Sequence, residues 1–188
     1  MKDDSELVEQ TRSGSPDGFV EIVRRHQSRL FAILSRYERD AHKVEDLAQE
    51  TFLKAWRALD QYDARRAPFE HWLSRIAVHV ALDHLRRERR KKEEIALSDL
   101  GESALEWLHS ENTESRPEVA DAREILHLAM RQLSPEETMV ITLQEIEGRS
   151  AKEISRLTGW SGVAVRVRAH RARGKLRAAL IRLEKGRP

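Results

Sequence analysis

The sequence predicts an all-α protein built as two small helical domains joined by a flexible linker. From about Asp17 to Lys92 apolar residues recur at helical spacing, with proline and glycine only at Gly18 and Pro68 and with Pro16 just ahead. Between 93 and 120 the periodicity weakens while Gly101, Pro117 and several Ser, Glu and Asn enter. From Asp121 the helical pattern returns. The expected units are therefore 1–92 and 121–188, with 93–120 as linker, which suits a chain of 188 residues, long for one small helical domain and short for two large ones.

Each element has its own local reason. A first helix has Asp17 available as N-cap and places Phe19, Ile22, Val23, Leu30, Phe31 and Leu34 on its buried side. A second begins near Ala41 or His42 with the stripe Val44, Leu47, Ala48, Phe52, Ala55 and Trp56, leaving Asp46, Gln49, Glu50 and Leu53 on or beside the opposite face. The pattern stops at Leu59, and Gln61 to Pro68 reads as a polar loop closed by a helix-incompatible proline. Phe69, Trp72, Leu73, Ile76, Ala77 and Val80 then resume a strong stripe that runs into the basic stretch Arg86 to Lys92. The spacing of Phe69 and Trp72 with Leu73 and Ile76 favours core positions over base stacking.

In the linker, Leu105, Trp107 and Leu108 form an apolar trio that either docks on a partner or makes a short amphipathic turn. Beyond it, Ala122 to Leu133 forms a helix, Ser134 with Glu137 makes a capping box for the next, and Met139, Val140 and Leu143 supply a buried face that Gly148 ends. Arg149 to Ser161 has the grammar of a helix-turn-helix. Ser150 caps and Glu153 completes the box; Ile154 and Leu157 bury the first helix; Gly159 supplies a left-handed turn; Ser161 caps a second helix holding Val163, Val165 and Ala169. That second helix carries Arg166, Arg168, His170, Arg171, Arg173 and Lys175 with no acid before Glu184. Such a run is either a solvated basic face or a recognition helix, with small or polar residues near base edges and cations on phosphates.

Composition bounds the function. Charged residues make up 35% of the chain, but 34 Lys plus Arg against 32 Asp plus Glu leave a formal charge of +2, so clustering and not net charge would carry nucleic-acid binding. With no cysteine there is no disulfide framework, thiolate zinc site or cysteine nucleophile. No apolar run of signal-peptide length opens the chain and none reaches about 18 residues, so a soluble, cytoplasmic protein without membrane insertion is expected. Eight His invite a search for metal or acid-base sites. His79 lies one turn from both Arg75 and Asp83, but no third ligand and no phosphate-binding glycine loop accompany them, so no catalytic residue, metal or cofactor is expected.

Val44 to Trp56 strongly resembles the region 2 signature of sigma-70-family RNA polymerase factors. Arg75 to Arg87, preceded by Phe69, Trp72 and Leu73, resembles the promoter-reading helix of that region, and Leu133 to Glu136 with Glu147 to Leu176 resembles region 4. The resemblance covers about four-fifths of the chain, and the absence of anything like regions 1.1 or 3 is similar to the extracytoplasmic-function branch. It implies a non-enzymatic factor that binds core polymerase at the β′ clamp helices and the β flap, recognises −35 and −10 promoter elements and helps open the DNA. Asp46, Gln49, Glu50 and Leu53 would meet the clamp helices. Gln61 to Pro68, with Tyr62, Arg65 and Arg66, would cradle a flipped −10 base, and Arg75, His79, Asp83, Arg86 and Arg87 would line the duplex-facing side. Ser150, Ser161, Ala164, Arg166, Arg168, His170, Arg171 and Arg173 would serve the −35 element. An anti-sigma protein clamped between or around both domains is a further implied partner.

Two positions depart from the family pattern: His79 stands where Asn is usual, and Ala164 where Thr is common, which removes a hydroxyl from the recognition helix. Asp83 with Arg87 also reads as a plain helix ion pair, and Asp46 and Glu50 as solvated carboxylates. A free-standing helix-turn-helix regulator binding operators as a dimer is the alternative, but it accounts only for the last quarter of the chain.

Overall fold

A computed structural model describes residues 2–98 and 122–185 of the chain, all of its regular structure helical. In order these are α1 (Asp4–Arg12), α2 (Asp17–Leu34), α3 (Ala41–Arg57), a 3-10 turn (Leu59–Gln61), α4 (Phe69–Ser98), α5 (Ala122–Met130), α6 (Pro135–Ile141), a π-type turn (Thr142–Ile146), α7 (Ala151–Thr158) and α8 (Gly162–Lys185). The apolar trio Leu105, Trp107 and Leu108 lies outside the described residues. The basic helix does not stop at Lys92: α4 carries on to Ser98, into the stretch expected to be linker.

Sequence periodicity opened the bundle at Asp17, whereas the structure adds α1 ahead of it. Asp3 caps this helix, its carboxylate accepting from Glu6 N while Glu6 Oε2 accepts from Asp3 N, and Leu7, Val8 and Thr11 are buried on its inner side. Asp17 is not the expected cap of α2. It is the first helical residue, and Pro16 precedes it without any side-chain capping bond. α1 and α2 cross closely at Gly18, where a Cβ would stand 2.4 Å from Leu7 O and 2.6 Å from Thr11 Oγ1. Glycine is what lets the two backbones meet there.

Asp40 caps α3 by accepting from the backbone N–H groups of His42 and Lys43 at 2.9 and 3.4 Å, so the helix begins where the sequence placed it. Two expected core aromatics sit elsewhere. Phe31 is 38% exposed and Trp56 45% exposed, the latter lying edge-on against the ring of buried Phe19. Phe69 is buried beside Tyr62, Trp72 and His26, as its spacing predicted.

The two halves do not stand apart. α4 buries Ala77, Val78, Val80, Ala81 and Leu82 because it packs on α2 and α3 with one side and on α6 and α7 with the other. One apolar cluster therefore joins Leu30, Leu34 and Leu47 to Met139, Val140, Leu143, Ile154 and Val165. Polar contacts edge the joint. Arg36 Nη1 lies 2.7 Å from Glu147 Oε1, whose side chain is only 6% exposed, Arg86 Nη2 lies 2.9 Å from Glu136 Oε1, and Arg89 donates to Leu133 O. The Arg36–Glu147 pair is close in distance yet lacks hydrogen-bond alignment at Oε1, so its attraction is mainly coulombic.

The second half follows its caps. Ser134 with Glu137 and Ser150 with Glu153 form the two expected capping boxes, and Gly148 and Gly159 adopt φ of 65° and 76° where helices end. No helix among the described residues is long and apolar enough to cross a membrane.

Gly18→Ala is expected to destabilise the protein by about 1–3 kcal/mol, because the obstructing atom is a backbone carbonyl that cannot swing away. Urea unfolding checks this; an unchanged or raised midpoint would show that α1 is not seated as described.

Candidate functional site

Three surfaces collect the candidate residues. On α3 the buried stripe of Val44, Leu47, Ala48, Thr51 and Ala55 turns the opposite face outward, with Asp46 and Gln49 exposed and Leu53 57% exposed. Glu50 stands at the edge of this face, 2.9 Å from Lys54 and 3.2 Å from Arg87. Partial burial pushes its carboxyl up, but hydrogen bonds from Lys54 and Arg87 outweigh that and hold it below the ordinary value. The face thus pairs carboxylates with an unpartnered apolar side chain. Exposed Trp56, one turn on from Leu53, widens the apolar part and was hidden from sequence reasoning by its place in the helical stripe.

The second surface combines the 61–68 loop with the outer face of α4. Arg65 and Arg66 are exposed, and Arg65 makes a two-bond contact to Asp63 at 3.0 and 3.1 Å that holds the Asp63 carboxyl below its usual range. Tyr62 differs from expectation: it is 6% exposed and packs against Phe69 and Trp72. Its ring belongs to the core, so no face is free for base stacking. Arg75, His79, Asp83, Arg86 and Arg87 are all exposed along one side of α4. Their charges are unequally engaged. Arg87 reaches Glu50, Arg86 reaches Glu136 and Asp83, and Arg75 pairs with no carboxylate among the described residues. The expected Asp83–Arg87 pair does not form; Asp83 meets Arg86 instead, at 3.6 Å. Burial, and then the positive charge of Arg75, hold the His79 imidazole below its ordinary 6.5 despite Asp83, with Lys54 and Arg86 adding to the depression. It is a neutral donor and acceptor at neutral pH.

The third surface is the helix-turn-helix of α7 and α8. Ser150 Oγ is spent within its own capping box, accepting from Glu153 N and donating to Glu153 Oε2, and this helix start holds the Glu153 carboxyl below its usual value. The turn is fastened by Ser155 Oγ donating to Trp160 O at 2.6 Å and by Trp160 N donating to Thr158 Oγ1 at 3.2 Å. Ser161 Oγ accepts from Ala164 N at 3.1 Å and starts α8. Arg168 stacks 4.4 Å over the Trp160 ring, and Arg173 is tied to Glu145 at 2.7 Å. Arg166, His170 and Arg171 are exposed and pair with no carboxylate among the described residues. Val163, 62% exposed, and Val167, 42% exposed, share their side of the helix. Sequence reading had counted Val163 only as a helix-forming apolar residue; an apolar contact to a thymine methyl is the chemistry it offers there.

Comparisons with known proteins place these surfaces in a family. Residues 22–91 match the model of Sigma-70 region 2, and residues 123–176 match that of Sigma-70, region 4. The chain is 34% identical over 179 residues to the RNA polymerase sigma factor CarQ of Myxococcus xanthus, covering 94% of this chain and 97% of the relative. The chain belongs to the sigma-70 family. It is an RNA polymerase sigma factor of the extracytoplasmic-function group, a transcription initiation factor. The sigma-H factor of Pseudomonas aeruginosa is 31% identical over 96% of this chain and 95% of its own, and the ECF sigma-E factor of Salmonella typhimurium is 32% identical over 90% of each. A co-crystal structure of the sigma factor RpoE with the anti-sigma factor NepR from Bartonella quintana shares the fold, with a TM-score of 0.55, 21% identity, and coverage of 88% of this chain and 98% of that one. The match over the N-terminal half is what a free-standing helix-turn-helix regulator would lack.

Ser161→Ala is expected to destabilise this sigma factor's α8 by about 0.5–2 kcal/mol, since one N-terminal amide loses its acceptor. Amide hydrogen exchange at Ala164 reads the effect directly; protection equal to wild type would refute the cap.

Proposed function

We propose that the α3 face of Asp46, Gln49, Glu50 and Leu53 docks on core polymerase at the β′ clamp helices, and that the helix-turn-helix unit meets the β flap and the −35 duplex. Ser161, Ala164, Arg166, His170 and Arg171 would approach the major groove, with Arg168 and Arg173 at its margin and Ser150 acting through the helix start it caps. The −10 element would be met by Arg65, Arg66, Arg75, His79, Asp83, Arg86 and Arg87. The observation that carries this reading is the division of charge: carboxylates beside an exposed leucine on α3, and on α8 the cations Arg166 and Arg171, which pair with no carboxylate among the described residues, in a run with no acid before Glu184. The first suits a basic coiled-coil partner and the second suits phosphate. Opening DNA without nucleotide hydrolysis then rests on capturing a base that has left the stack, which makes unstacking favourable.

His79 fits this in a way a family Asn would: a neutral imidazole carries one donor and one acceptor, although on a rigid ring that cannot present both to one base edge as a carboxamide does. Arg86 and Arg87 now face carboxylates, Glu136 and Glu50, and would exchange them for phosphate. The −35 and −10 elements lie about 25 base pairs, roughly 85 Å, apart at about 3.4 Å per pair. A chain whose α4 rests on α6 and α7 spans no such distance, so promoter binding requires the two halves to part. An anti-sigma protein, the kind of partner seen with RpoE, would act by holding them otherwise, and the protein would work in the cytoplasm beside polymerase.

Purified protein mixed with core enzyme and promoter DNA tests the reading by the appearance of promoter-specific transcript. Asp46→Ala and Leu53→Ala are each expected to weaken core binding about tenfold while leaving unfolding midpoints unchanged. No transcript with wild type, or sequence-specific operator binding by a dimer that needs no core, would overturn the proposal.

A pH series on forked −10 DNA isolates His79. Its folded pKa lies below 6.5, so the unfolded chain takes the proton first: stability is full above that value and declines as pH falls below it. In the same acidic window the ring gains charge beside Arg75, Lys54 and Arg86, and DNA affinity rises. His79→Asn is expected to match wild type at pH 8 and to lose this acid-side rise; a rise of equal size in the variant would assign it to another group.

A further inference from the structure

α1 lies outside residues 22–91, the part matched to region 2, yet it joins the start of the 61–68 loop through one apolar cluster of Leu7, Val8, Leu59 and Tyr62 and through the side chains of Arg12 and Ser5. Arg12 Nη2 donates to Leu59 O and to Tyr62 O, both at 2.7 Å, while Nη1 bonds Glu9 and Nε lies 3.9 Å from Asp60. The side chain is only 25% exposed. Between α1 and residues 60–66 opens a polar cleft of about 610 Å³, with Arg12 in its wall and Arg65 and Arg66 on its rim. That volume falls in the range of small-ligand sites, and an extruded nucleobase is a ligand of that class.

Resting on the −10 reading above, we propose that α1 is the second wall of the base-capture site and that Arg12 is its positioning residue. The 3-10 turn at Leu59–Gln61 is held from within by Gln61 N on Ala58 O, by Tyr62 N on Leu59 O and by the burial of Leu59 and Tyr62, and Arg12 adds a bond to each of the Leu59 and Tyr62 carbonyls. Arg12 crosslinks the two ends of that turn to a helix that Gly18 presses against α2. A guanidinium does this because its planar fork reaches two carbonyls with one nitrogen and still meets the Glu9 carboxylate with another; an ammonium has no such fixed fork. Held in this way, the loop keeps one shape before DNA arrives, and no part of the binding energy goes into ordering it.

The test uses holoenzyme reconstituted with core polymerase on templates randomised through the −10 element, each supplied as duplex and with the −10 region already unpaired, and reads transcript yield and base preference at each position. Wild type is expected to show a sharp preference at the captured position; no preference anywhere would refute the −10 reading itself. Arg12→Met is expected to lower yield on duplex about tenfold or more and to flatten the preference at that position on both template types, with core affinity and −35 preference unchanged. Arg12→Lys, which keeps the charge but not the fork, is expected to fall between the two. Preference as sharp as wild type in both variants would overturn the proposal even if yield fell. Should Arg12→Met unfold at assay temperature, Arg12→Lys alone decides by the same criterion.

Discussion

The double burial of α4 is the constraint on which the rest of the structure depends. A surface helix of a bundle hides one stripe, but this one hides Ala77, Val78, Val80, Ala81 and Leu82 together, since α2 and α3 cover one side and α6 and α7 the other. Alanine at 77 and 81, both fully buried, lets neighbouring helices come close, and the larger Val and Leu fill between them. What remains for solvent is a narrow strip holding Arg75, His79, Asp83, Arg86 and Arg87. Packing therefore decides which side chains of α4 are left exposed. Even His84, in the same helix, is drawn inward, where it meets Glu38 at 2.9 Å.

Charge is distributed by the same logic. Carboxylates from other elements neutralise several cations: Glu136 takes Arg86 across the joint, Glu50 takes Arg87, Glu137 takes Lys175 and Glu145 takes Arg173. Arg75 on α4 and Arg166 and Arg171 on α8 have none among the described residues. Exposed ion pairs of this kind contribute little to stability, about 0–1 kcal/mol each, so they hold their cations weakly against any denser array of negative charge. The free cations set where a polyanion is first felt; the paired ones set what must be exchanged once it is bound.

Much of this was legible because it is local. The capping boxes at Ser134 and Ser150, the left-handed Gly159 and the proline before Phe69 act over three or four residues, and each sits where its sequence signal put it. Asp3 with Glu6 carries the same capping-box signal and could have revealed α1, but only Leu7 and Val8 follow it as core residues, too few to register as a period. Phe31 and Trp56 fall on apolar stripes yet emerge at the surface, and Tyr62 sits in a polar loop yet enters the core, because tertiary neighbours decide those fates. The docking of the halves was illegible for a related reason. A continuous stripe on α4 shows that something covers it, and not which helix does so.

The joint between the halves also buries polar groups, Tyr37 on one side and Glu147 on the other. Among the described residues the buried side-chain atoms without a hydrogen-bond partner are Tyr37 Oη, Thr142 Oγ1, Gln144 Oε1 and Glu147 Oε1. Three of these lie in or just after the π-type turn, and the fourth is a phenol whose ionisation is pushed far up by its burial and by the nearby Glu147 charge. A buried polar atom left without a partner costs about 1–3 kcal/mol, but at Glu147 Oε1 the Arg36 charge 2.7 Å away offsets part of that. Parting the halves would return Tyr37 Oη and Glu147 Oε1 to water, which offsets part of the loss of apolar contact between Met139, Val140, Leu143 and α4. Elsewhere the capping boxes, the Thr51 hydroxyl on Leu47 O and the Arg12 crosslink leave no comparable debt. The joint is therefore where separation would recover polar hydration, while the capping boxes and the Arg12 crosslink lie within the halves and would stay as they are.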